Sequence, residues 1–104
     1  MMLETFINIL HKVPDKDILI QDNISTACVA EFTVQTDCLI LILKNDASKF
    51  YSVRSLVRRL LPLKGIKNIF VFYDISYYKV TGLKITQDKV IIDSHLFCRA
   101  YDSW

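Results

Sequence analysis

The run Cys38-Leu39-Ile40-Leu41-Ile42-Leu43 constrains this chain more than any other segment. It is far shorter than the roughly 20 apolar residues that cross a bilayer, so it predicts a buried strand. Both alternate sets of side chains are apolar, which places the strand mid-sheet with cover on each face. Upstream, Cys28, Ala30, Phe32 and Val34 alternate with Val29, Glu31 and Thr33, the period of two of a second strand over Ala27 to Val34. Gln35-Thr36-Asp37 supplies the turn, and an antiparallel pair is the economical arrangement.

Two segments carry helical spacing. Leu3, Phe6, Ile7 and Leu10 recur at i, i+3, i+4 and i+7, and Pro14 stops that helix. Asn45-Asp46 offers a cap for a second helix. Its apolar face is Phe50, Val53, Leu56, Val57, Leu60 and Leu61, ending at Pro62 and Gly65. Ile18-Leu19-Ile20 reads as a short strand. Ile66 to Tyr73 reads as a strand covered on both faces. Tyr77 to Val80, Gly82 to Ile85 and Val90 to Ile92, with a turn at Gln87-Asp88, suggest a terminal hairpin with Gly82 at a bulge. No internal repeat is visible. The length of 104 residues suits one core, so 1–104 reads as a single domain.

Charge is uneven. From Lys44 to Lys67 the bases are Lys44, Lys49, Arg54, Arg58, Arg59, Lys64 and Lys67 against the single acid Asp46. Residues 1 to 43 set Glu4, Asp15, Asp17, Asp22, Glu31 and Asp37 against Lys12 and Lys16. Arg54 and Arg58 lie one helical turn apart. With Lys49, Tyr51, Arg59, Lys64 and Lys67 they form a candidate surface for nucleic acid or an acidic protein. The plainer reading is a solvated helix face. Tyr77, Tyr78, Tyr101 and Trp104 are candidates for an aromatic interface, or rings that finish a small core.

Catalytic signatures do not appear. His11 and His95 have no metal-ligand spacing, and His95 with Cys98 lacks a further ligand. Phosphate-cradling glycine loops and the G-x-S-x-G elbow are absent from the sequence. Cys28, Cys38 and Cys98 are an odd number at wide spacing, which points to reduced thiols in the cytoplasm. The first residues lack the pattern of a secretory signal. The expectation is a protein without catalytic residues, metal or cofactor, and not in a membrane.

The strands Ala27 to Val34 and Leu39 to Leu43, the Asn45-Asp46 helix start, Phe50, the spacing through Val53, Val57 and Leu60, and the return strand Ile69 to Tyr73 carry a family likeness. They resemble the KH-like module of bacterial replication proteins, namely the N-terminal domain of the initiator DnaA and the helicase-loader family DciA. The resemblance spans about half of the chain, from Ile24 to Tyr73. It implies contacts with a replicative helicase or single-stranded DNA, with Arg54, Arg58 and Arg59 carrying the basic surface. The G-x-x-G loop of true KH domains is missing, which excludes a KH-style RNA clamp.

The expected fold is therefore α+β, a KH-like α-β-β-α-β layer with an added C-terminal β-hairpin. The expected function is a non-catalytic binding module that meets nucleic acid or an acidic protein, in DNA replication if the resemblance holds. Two alternatives stand beside it. One is a small antagonist or adaptor, of the phage-inhibitor or immunity type, acting by protein-protein interaction. The other is a homodimer joined through the C-terminal hairpin, whose edges invite symmetric pairing.

Overall fold

The apolar stripes read from the sequence do form two helices, α1 (Leu3–His11) and α2 (Val53–Leu60), each burying residues at i, i+3, i+4 and i+7. A computed structural model describes residues 1–21, 26–46, 48–63, 65 and 68–99. Six strands make up the rest of the regular structure: β1 (Asp17–Gln21), β2 (Thr26–Val34), β3 (Cys38–Lys44), β4 (Asn68–Tyr73), β5 (Ser76–Ile85) and β6 (Lys89–Arg99). They close into one barrel in sequence order. This overturns the KH-like α-β-β-α-β layer. The C-terminal hairpin is not an appendage; with β4 it forms half of the barrel wall.

The barrel is built from two copies of one unit, a helix followed by an antiparallel three-stranded meander. β1-β2-β3 and β4-β5-β6 are each antiparallel. They join at two parallel seams, β3 with β4 and β1 with β6. The helix starts are exchanged between units. Met2, which precedes α1, makes an antiparallel bridge to Asn68 at the start of β4. Ser52, which precedes α2, makes the same bridge to Asp17 at the start of β1. The buried stripe Leu3, Phe6, Ile7, Leu10 is matched by Val53, Leu56, Val57, Leu60.

Both stripes join Leu39, Leu41, Leu43, Ile69, Val71, Val80, Val90 and Ile92 in a single core. Burial of this kind contributes about 1.5–3 kcal/mol per large aliphatic side chain. Because both helices pack on that inward set, the outer set on β3 and β4 has no helix over it. Ile40, Ile42, Phe70 and Phe72 remain half-buried, which corrects the expectation that these strands are covered on both faces.

The second helix also starts later than Asn45-Asp46 suggests. Ser52 and Ser55 form a reciprocal cap: the Ser52 N–H donates to Ser55 Oγ at 2.8 Å, and the Ser55 N–H donates to Ser52 Oγ at 3.4 Å. Asn45 is used elsewhere, its Nδ2 donating to the Thr26 carbonyl and the Tyr73 hydroxyl, each at 3.1 Å. Phe50 lies before the helix and is 48% exposed. After Leu60 one 3-10 turn, Leu61–Leu63, carries Pro62.

A two-residue turn links β4 to β5. Asp74 and Ile75 have φ of 51° and 55°, the positive values that a tight hairpin of right-handed twist demands. A β-branched residue is poorly suited there, and Ile75 is also exposed. In β5 the register shifts between Val80 and Gly82, beside the glycine placed at a bulge. No helix among the described residues is long and apolar enough to cross a membrane.

Candidate binding surface

The basic residues of α2 do not act as one face. Arg54 and Arg58, a turn apart, stand on the rim of a cleft of about 310 Å³ between the two helices. Arg59 points to the other flank, where its guanidinium lies 6.0 Å from the centre of the Phe32 ring. Tyr51 packs beside that ring with centroids 5.9 Å apart, and its N–H donates to the Val29 carbonyl at 2.8 Å. Tyr51 is thus half-buried against Phe32. Lys49 is exposed in the segment before α2, while Lys64 and Lys67 lie outside the described residues.

The cleft has an apolar floor of Leu10, Val13, Val53, Val57 and Leu61, and His11 joins the arginines on its rim. An adjoining hollow shares His11 and Leu61 and reaches Glu4 and Asn8 on α1. His11, Val13 and Leu61 carried no functional signal in the sequence. Their role arises only when two helices about fifty positions apart are packed together.

Electrostatics at the start of α2 are unusual. A helix N-terminus favours negative charge. α1 places Glu4 in its first turn, whereas α2 has no acid there and places Arg54 at the matching position. Compensation comes from Asp15, whose Oδ1 accepts from the Arg54 backbone N–H at 3.0 Å. That bond, with one to Ser52 and the nearby charges of Arg54 and Arg58, holds the Asp15 carboxyl below its ordinary value. Arg58 and Arg59, in the last turn, are favourably placed for the helix dipole. Among the described residues the one ion pair is Lys44 with Glu31 at 3.4 Å, and neither rim arginine makes a side-chain salt bridge to another of them.

The aromatic candidates also separate. Tyr77 lies against Phe72 on the outer wall, ring centres 4.8 Å apart and planes tilted by 54°, while its neighbour Tyr78 turns inward against the core. Adjacent residues of a strand point to opposite faces, so they form no common platform. Phe97 meets Phe70 edge-on at 5.2 Å. Tyr101 and Trp104 lie outside the described residues.

Among the described residues no group of three or more His, Cys, Asp or Glu could hold a metal ion. Cys28, Cys38 and Cys98 are free and half-buried, and burial pushes the Cys28 and Cys38 thiols up. The KH-like layer is replaced by a barrel, and of the arginines on α2, Arg54 and Arg58 line the cleft while Arg59 lies over Phe32. Comparison with family models, with curated proteins and with solved structures finds no match to this chain.

Proposed function

We propose that this protein is a non-catalytic binding module that receives an acidic segment of a protein partner in the cleft between α1 and α2. The observation that carries the reading is Arg54. A cation stands in the first turn of α2, where the helix itself favours an acid, and projects onto the rim of an apolar-floored cleft beside Arg58 and His11.

Such a cleft suits a segment that inserts one apolar side chain and sets carboxylates against the guanidinium forks. A phosphate backbone would instead favour a longer run of cations with no need of an apolar floor. We further place the protein in the reducing cytoplasm. Three free, half-buried cysteines, two with raised thiols, suit a compartment that keeps them reduced.

The test is a fluorescence titration with a synthetic peptide carrying a central phenylalanine flanked by glutamates. Controls are its lysine-for-glutamate copy and a single-stranded DNA oligonucleotide. The acidic peptide should bind, more weakly as salt rises, and Arg54→Ala with Arg58→Ala should weaken it roughly tenfold. Equal binding of the lysine copy, or binding indifferent to the double variant, contradicts the proposal. Binding of the DNA alone would reassign the arginines to phosphate.

A further inference from the structure

The repeat that relates the two halves of the barrel also relates the two hollows along the helix pair. The helices run antiparallel: His11 and Val13 at the end of α1 meet Val53 and Arg54 at the start of α2 in one hollow, and Glu4 at the start of α1 meets Leu61 just after α2 in the other. Each helix turns the same stripe toward the seam. On α1 it is Glu4, Ile7, Asn8 and His11, and on α2 it is Arg54, Val57, Arg58 and Leu61, at matching positions of the two repeats. Both hollows are lined by His11 and Leu61, so those of about 310 and 220 Å³ form one groove.

Charge is what the repeat does not preserve. The groove has Arg54 and Arg58 on its rim along α2, and Glu4 with Asn8 on its rim toward the start of α1, all four exposed. The acid is the one that α1 itself favours in its first turn; the cation on α2 is the inverted case. Along α2 the step from Arg54 to Leu61 covers roughly 10 Å at about 1.5 Å per residue. An occupant that fills both hollows therefore reaches from a cationic end to an anionic one.

We propose that the segment received by this groove is bipolar. It is an amphipathic stretch of a partner protein that sets carboxylates against Arg54 and Arg58, an apolar side chain into each hollow, and a lysine or arginine against Glu4. The inference rests on the reading of the cleft as a site for an acidic segment, and adds the order of charge along that segment. Carboxylates suit the guanidinium forks, and paired apolar anchors suit a groove between helices. A uniformly acidic segment of the same length would bring like charge to Glu4, the kind of juxtaposition by which an interface rejects a wrong partner.

Fluorescence anisotropy with the full chain, in about 0.15 M salt to screen long-range charge, tests this with two labelled peptides that share a Phe-Leu centre. One carries glutamates on both flanks, the other glutamates on one flank and lysines on the other. The mixed peptide should bind roughly threefold tighter, the scale of an exposed charge pair. Glu4→Lys should reverse that preference, and the fold should tolerate it because Arg54 already puts a cation at the matching position. Asp93→Lys makes the same change of charge at an exposed residue that lines neither hollow, and should leave the preference standing. Absence of a preference in the parent, or equal shifts in the two lysine variants, would overturn the bipolar order. If both peptides still weaken with Arg54→Ala and Arg58→Ala, that order alone falls; if neither does, the acidic-segment reading falls with it.

Discussion

The two halves of the barrel share an architecture and differ in what they expose. In the first half α1 carries Glu4 in its first turn, as helix electrostatics favour, and β3 is flanked by β2 on one edge and β4 on the other. In the second half α2 carries Arg54 at the matching position, and the β4–β5 turn holds Ile75 at positive φ. Departures from good local chemistry gather in one copy of a repeated unit. When the fold is served equally well by either version, such departures point to function.

The comparison can be broken first at the core, where the halves should be equivalent. Phe6 and Leu56 occupy matching positions and are both fully buried. Phe6→Ala should cost about 3–5 kcal/mol and Leu56→Ala about 2–5 kcal/mol. Urea denaturation should show a single transition in each variant, because both stripes share one core. Two separated transitions would mean that the halves fold independently.

A smaller effect is expected at the turn. Relieving the left-handed backbone of Ile75 with Ile75→Gly should raise stability by about 1 kcal/mol, read as a shift of the urea midpoint. A loss of stability there would show that the exposed isoleucine packs in its own fold.

Arg54→Ala sharpens the comparison in another way, by leaving stability within about 0.5 kcal/mol of the parent while weakening the acidic peptide. Loss of stability and binding together would make Arg54 structural. The smallest effect concerns pH. The Asp15 carboxyl is lowered chiefly by the Arg54 backbone N–H, so its contribution is complete above the unfolded carboxylate value and is lost as pH falls through the folded one. Asp15→Asn should therefore flatten the acid limb of the stability curve and leave the neutral-to-alkaline limb parallel to the parent's.

Both helical stripes and the strands around Phe32, Leu41 and Val71 were legible because each is a local periodicity. Closure was not, since no periodicity tells β1 to lie parallel to β6. The repeat escaped notice because its two copies share a pattern of burial rather than residues: Glu4 stands against Arg54 and Asn8 against Arg58. Ile40 and Phe70 misled for a related reason. An apolar outer set reads as covered, but both helices had already packed on Leu41 and Val71 within. Of the candidate site, Arg54 and Arg58 were visible as a helical pair, whereas the positions of His11 and Leu61 depend on the packing of α1 against α2.

The central claim is that the cleft between α1 and α2 receives an acidic segment. It is tested most directly by adding the glutamate-flanked peptide to ¹⁵N-labelled protein and following amide shifts. Changes concentrated at Leu10 to Val13 and Val53 to Leu61, and absent with the lysine copy, are the predicted result. Changes centred on Ile40, Phe70 and Phe97 at the outer wall, or none at saturating peptide, would contradict it.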